Sequence, residues 1–392
     1  MGSPDESLLC LSHLRWKFVY QRPQHLLGRC ARERTVVFFE EPIFEPIDDG
    51  RLALMDTPEG VVVATPHIPV TMEREAAEDV QRGMVDRVLA ALPPHPVLWY
   101  YTPMPVAFTD HVRARAVVYD CMDELSLFRG APPELAERER LLFDCADVVF
   151  TGGHSLYEHK IRTSGHENIH AFPSSVDVDH FRCARYELDE PRDQADIPHP
   201  RIGVCGVIDE RTNLDLHAQL AEARPDLQIV MIGPLAKISS DVLPRAPNIH
   251  WLGPRRYEQL PAYLAGWDVA MLPFAHNEAT RFISPTKTPE YLAAGKPVVS
   301  TSIRDVVTPY GRDGLAWIAD SALEFEHAID AALASDPATR ISQADTFLAG
   351  LSWDRTWREM WSHVERAIAA RERRPSSMTQ PWAGAAERGE VY

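Results

Sequence analysis

The chain has 392 residues, of which 45% are hydrophobic and 25% charged, with a formal net charge of −17. That length predicts two domains, each long enough to bury a core. The acidic balance excludes a protein that grips nucleic acid through extended basic surfaces, but it permits an anionic ligand in a local positive pocket. Six cysteines (Cys10, Cys30, Cys121, Cys145, Cys183 and Cys205) form no C-x-x-C pair. They read as inert thiols of a reducing compartment. The N-terminus lacks a basic segment followed by an apolar run, and no stretch reaches about 18 apolar residues. The expected location is therefore cytoplasmic, with peripheral contact at the inner membrane face left open.

Short apolar runs alternate with amphipathic segments along the chain. Strands are predicted at 8–14, 35–42, 60–66, 96–102, 116–122, 147–152 and 169–175. Several are apolar throughout, as strands buried on both faces should be. Helix candidates separate them, the first opened by Pro23. The segment 183–200 is charged, proline-rich and poor in apolar residues, and reads as a linker. A second series follows, with strands at 201–208, 227–233, 248–253, 269–274, 297–302 and 314–319. Strand–helix alternation of this kind predicts a doubly wound parallel sheet in each half. In a helix expected at 353–374, Trp353, Trp357, Trp361, Val364 and Ile368 share one face, as a docking stripe would. The tail 375–392 lacks periodicity and is expected to be disordered. The predicted organisation is thus an N-terminal domain 1–182, a linker 183–200, a C-terminal domain 201–352, a crossover helix 353–374 and a tail.

The stretch SPTKTPEYLAAGKPVVSTS (284–302) carries the most chemistry. It predicts a loop running into a helix, with Pro289 in the first turn and Gly295 as the terminating residue. Lys287 is expected just ahead of that helix, where free N–H groups and the positive dipole end favour an anion. Glu290 lies one step inside and could accept hydrogen bonds from two pentose hydroxyls. This spacing suits a nucleoside diphosphate.

This stretch resembles the nucleotide-sugar site of GT-B glycosyltransferases of group 1, whose helix E-Y/A-L/M-A-x-G-x-P-V-V carries the ribose-binding glutamate. FPSSVDVDHF (172–181) is similar to the interdomain segment of that superfamily. SHLRWKFVYQRPQHLL (12–27) resembles the opening of a bacterial subgroup that includes teichuronic-acid and exopolysaccharide transferases. The resemblance implies two Rossmann-like domains with a cleft between them. It also implies transfer of a sugar from a nucleotide-sugar donor, with UDP expected on its frequency in the superfamily. The acceptor would be a glycan, a lipid-linked sugar or a small molecule. A nucleotide-sugar epimerase and a catalytically silent carbohydrate-binding protein are the competing readings. The sequence departs from the superfamily in three places. Phe282 stands where retaining members carry a second glutamate, with Glu278 four residues earlier. Ser174–Ser175 replaces Asn-Gly. No glycine pair follows the first strand, where Ser12, His13, Leu14 and Arg15 lie.

Donor-binding candidates are Lys287 and Glu290, with Pro285 and Thr286 beside them, Arg211 in the loop after the strand at 201–208, and Gly206 towards the end of that strand. An arginine there could bind a phosphate bidentately. Asp120 and Asp123, at the end of the strand at 116–122, are candidates for a general base, Asp123 preferred. Arg15, Trp16 and Arg22, together with His25, suit an acceptor. Asp177–Val178–Asp179 spells the D-x-D metal motif of the other large glycosyltransferase fold. Its place between two doubly wound halves argues against that role, so no cofactor and no essential metal are expected.

Overall fold

The computed structural model describes residues 6–373. The tail expected at 375–392 lies outside the described residues. Among them, the first half forms a nine-stranded sheet: β1 (Ser7–Ser12), β2 (Thr35–Glu40), β3 (Ile43–Glu45), β4 (Arg51–Asp56), β5 (Val62–Pro69), β6 (Val97–Tyr100), β7 (Ala116–Cys121), β8 (Val148–Thr151) and β9 (Ile169–Ala171). Its order is β3-β5-β2-β1-β6-β7-β8-β9, with β4 pairing β5 antiparallel and every other pairing parallel. The central strands are buried at every residue, which explains their unbroken apolar runs. The β3–β4 extension is invisible in the sequence because its residues are half-exposed and carry no such run.

The second half forms a six-stranded parallel sheet: β10 (Arg201–Cys205), β11 (Gln228–Ile232), β12 (Ile249–Gly253), β13 (Val269–Leu272), β14 (Val298–Ser300) and β15 (Trp317–Ile318). The order is β12-β11-β10-β13-β14-β15. In both sheets the winding reverses beside the first strand, between β1 and β6 and between β10 and β13. Such switch points open a crevice at the strands' carboxyl ends.

Four helices shape the cleft and its supports: α1 (Arg22–Cys30), α2 (His154–Ser164), α3 (Lys287–Ala293) and α4 (Trp353–Glu372). Helix α4 returns to the first half. Trp353, Trp357, Met360, Trp361 and Val364 are buried in one cluster with Leu8, Trp99 and Phe150. Trp357 sits 6.0 Å from Trp99 and 5.2 Å from Trp361, and the Arg34 guanidinium lies 4.0 Å over Trp361. The stripe read from the sequence is therefore a packing face.

The segment expected as a linker is not free chain. Ala184 and Ile197 are buried in the core of the second half with Leu264 and Trp267, as are Val176 and Phe181 just before the segment. Short helical turns at Cys183–Arg185 and Arg192–Ala195 carry it. Polar composition here reflects one exposed side, and the two units divide soon after β9.

The halves meet closely. The Asp305 carboxylate, from the second half, accepts a bond from the Ser155 N–H at the start of α2 (3.0 Å). A Cβ added at Gly153 would lie 2.2 Å from that carboxylate, so only glycine permits the approach. Phe282 crosses as well, packing into the first-half core and stacking on His159 at 4.4 Å.

Candidate functional site between the two sheets

A cavity of about 240 Å³ lies between the carboxyl ends of the two sheets. From the second half it is walled by Cys205–Ile208 after β10, Leu272–Phe274 after β13, and Ile283–Lys287 leading into α3. Phe18–Gln21, Met122, Asp123, Gly152 and Ser174 face them from the first half. Both switch points thus open into one space.

Helix α3 is short, and Lys287 is its first residue rather than a residue ahead of it. Thr286 takes the N-cap position, and Gly295 follows the helix with a positive φ of 75°, as expected. Lys287 reaches the wall together with Pro285 and Thr286. Its Nζ donates to Glu290 Oε2 at 2.6 Å. Glu290 stands just behind the wall, 8% exposed. Burial raises its carboxyl while Lys287 draws it back down; Glu290, against burial, holds the Lys287 ammonium above its ordinary value. The pair places a positive charge at the wall and a carboxylate one turn inside.

Gly206 follows β10, and a side chain there would point into open space. Gly233, across from it, approaches so closely that a Cβ would fall 1.7 Å from the Gly206 carbonyl oxygen. These residues keep the wall backbone-lined and shallow. Arg211 also reaches the cavity, where its Nη2 and Nε donate to Asp209 at 2.7 and 3.0 Å. Asp209 fixes the guanidinium beside the cavity and partly neutralises it.

The first-half candidates divide. Asp123 lines the cavity. Burial raises its carboxyl, Arg211 opposes that, and Asp209 adds to it. Asp120, three residues earlier, points the other way. It is fully buried and accepts two bonds from Arg22, at 3.0 Å from Nε and 2.9 Å from Nη2. Both side chains are inaccessible, and Arg22 also donates to the Phe172 carbonyl. The alternation of a strand sends residues in opposite directions, and β7 ends between them. Asp120 as a base and Arg22 as an acceptor contact are corrected on this geometry: they form an internal ion pair that ties α1 to β7.

Trp16 is corrected likewise, being 7% exposed with its ring edge-on to Phe38 at 5.0 Å. Arg15 bonds Glu40 at 3.1 Å and the carbonyls of Glu41 and Pro42, away from the cavity wall. His25 is buried against Trp353, its rings stacked at 4.5 Å. The sequence pointed to the right loop and to the wrong side chains in it. The residues that face the cavity are Phe18, Val19, Tyr20 and Gln21. Tyr257 was not foreseen either. It lines the cavity and stacks on Tyr20 at 4.6 Å across the two halves. The aromatic residues Phe18 and Tyr20 just ahead of Pro23 were the available signal.

Asp177 of the D-x-D segment caps a helical turn through the His180 N–H (3.2 Å). Among the described residues no group of three His, Cys, Asp or Glu side chains is arranged to hold a metal ion. None of the described helices is long and apolar enough to cross a membrane.

Known proteins resemble this chain in sequence and in fold. Residues 199–335 match the family model "Glycosyl transferases group 1". TuaH of Bacillus subtilis (strain 168), named as a candidate teichuronic acid biosynthesis glycosyltransferase, is 27% identical over 226 residues, covering 53% of this chain and 55% of that protein. The match thus spans about half the length of the curated relative. Among solved structures, sucrose-phosphate synthase from Thermosynechococcus elongatus superposes with a TM-score of 0.69 at 15% identity, over 93% of this chain and 100% of that one. A structure described as trehalose-6-phosphate from E. coli bound with UDP-2-fluoro glucose superposes with a TM-score of 0.66 at 12% identity, over 93% and 99%. The second half of the chain thus carries the match to the group 1 glycosyl transferases, and the chain as a whole shares the GT-B fold of these solved structures.

Proposed function

We propose that the protein transfers a sugar from a nucleoside diphosphate sugar, with UDP as the expected base, to a hydroxyl of a glycan, lipid-linked or small-molecule acceptor. The observation that carries this reading is the cavity at the paired switch points, with Lys287 on one wall and Asp123 on the other. A diphosphate entering from the second half draws Lys287 away from Glu290. The freed carboxylate then accepts from the pentose. Arg211, already oriented by Asp209, adds charge at the leaving group. Catalysis in this scheme is electrostatic stabilisation of the departing diphosphate together with positioning of the acceptor. Asp123 takes the acceptor proton, and its raised carboxyl makes it a stronger base than an exposed aspartate. A UDP-sugar donor and a place in polysaccharide assembly belong to the same proposal, supported by the neighbour bound with UDP-2-fluoro glucose and by the teichuronic acid relative; peripheral contact with a membrane face is part of the proposal as well.

The test is hydrolysis or transfer across a panel of labelled nucleotide sugars, read as released nucleotide diphosphate. Glu290→Ala and Lys287→Ala should each weaken donor use by about 10- to 100-fold, the scale of one lost charge-assisted contact. Unchanged kinetics in both variants would remove the site. An isomerised sugar without released diphosphate would turn the reading to an epimerase.

A further inference from the structure

We infer that Tyr257 is a ligand-binding residue of this cavity, its hydroxyl donating to a pentose hydroxyl that in turn donates to Glu290. The inference rests on the nucleotide-sugar reading above and goes beyond it. Tyr257 belongs to none of the motifs that carry the resemblance, and it comes from the loop after β12.

The Tyr257 hydroxyl is buried and has no hydrogen-bond partner among the described residues. A buried donor left unpaired is costly, and native proteins rarely keep one without a use. The ring cannot turn the hydroxyl elsewhere. It stacks on His180 at 4.2 Å with planes 10° apart, and on Tyr20 at 4.6 Å with planes 27° apart. His180 also sits 3.0 Å from the Tyr257 carbonyl through Nε2. Two other segments, one from each half of the cleft's surroundings, thus hold this aromatic ring at the cavity wall.

The chemistry of the neighbours fits a sugar hydroxyl. Burial first, and then the Glu290 charge, raise the Tyr257 phenol, so it stays protonated and can only serve a ligand acceptor as a donor. Glu290 is an acceptor. A pentose hydroxyl is both donor and acceptor, and so bridges a phenol and a carboxylate where a phosphate oxygen would be repelled by the latter. Tyr20 extends the arrangement across the cleft: the loop after β1, in the first half, braces the side chain that the second half presents.

Calorimetric titration with UDP and with its 2′-deoxy and 3′-deoxy analogues tests this in the full chain, using wild type, Tyr257→Phe and Glu290→Gln. Tyr257→Phe keeps the stacked ring and removes one oxygen. We expect UDP affinity to fall about 5- to 10-fold, and the penalty for at least one deoxy analogue to shrink by the same factor. The unfolding midpoint of the ligand-free variant should be unchanged or higher, whereas a merely structural hydroxyl would lower it. If Glu290→Gln weakens UDP binding and Tyr257→Phe does not, or if the deoxy penalties persist in Tyr257→Phe, the role given to Tyr257 is wrong and the cavity reading stands. If wild type binds no UDP, GDP or dTDP at millimolar concentration, or Glu290→Gln binds as wild type does, the nucleotide reading itself fails.

Discussion

The two walls of the cavity are built in different ways. The second-half wall carries its charged pair on one local unit, a loop running into α3, whose Lys287 and Glu290 lie three residues apart and touch. The first-half wall is assembled from the ends of β1, β7, β8 and β9, and its charged residues are mostly spent on holding those ends together. Arg22 and Asp120 are 98 positions apart in the chain and meet where no solvent reaches. A short-range site can be read from spacing, whereas a long-range one hides the distinction between a residue that faces the ligand and one that anchors its neighbour.

The largest expected effect separates two aspartates three residues apart. Asp123→Asn should lower turnover by about 10²- to 10⁴-fold, the usual worth of a general base, with nucleotide affinity nearly unchanged. Because burial raises this carboxyl, turnover should fall with decreasing pH at a higher pH than an ordinary aspartate would give. Equal turnover in wild type and variant would sink the base assignment.

Arg22→Met should act on stability. Leaving Asp120 buried and unpaired costs about 3–5 kcal/mol, measured by urea unfolding. Arg22→Met combined with Asp120→Leu should recover most of it, since two apolar groups need no partner. A double variant as unstable as the single one would contradict the anchoring role.

The two halves should share one acid sensitivity. Burial holds His25 down to about 3 and His217 to about 4. Their unfolded imidazoles take up a proton near pH 6.5, whereas the folded ones refuse it until far lower. Stability is therefore complete above pH 6.5 and is lost as pH falls, by about 3 kcal/mol per group at pH 4. His217→Leu should flatten the dependence of unfolding free energy on pH in that window; a slope identical to wild type would count against it.

The smallest effect concerns the seam. Asp305→Ala removes the acceptor at the start of α2 and should cost about 1 kcal/mol, the scale of a helix cap. Its informative readout is the separation of the halves in small-angle scattering, which should grow. No change in either quantity would mean that the seam is held without it.

Much of the fold was legible because buried parallel strands leave unbroken apolar runs, as Leu8–Leu11 and Val117–Tyr119 do. The β3–β4 extension left none, and the packed segment 183–200 looked like solvent-exposed chain because few of its apolar residues, Ala184 and Ile197 among them, turn inward. In the site, Lys287 and Glu290 were legible from spacing. Trp16, Arg22 and Asp120 were misassigned because composition says that a guanidinium and an indole share a loop but not which way each turns. Phe282 marks the same limit from the other side. A position where retaining members of the superfamily carry a glutamate holds an aromatic ring, and the ring serves the contact between halves.

The return of α4 to the first sheet has a consequence for how this molecule can be dissected. The indole cover of Trp99 and Phe150 is encoded at the far end of the chain, so the first unit is discontinuous in sequence while the second is an insertion within it. A fragment ending before Trp353 would expose that apolar face and be prone to aggregate. An exchange of donor units between related proteins should therefore splice at two seams, one soon after β9 and one ahead of Trp353, leaving the last helix with the recipient.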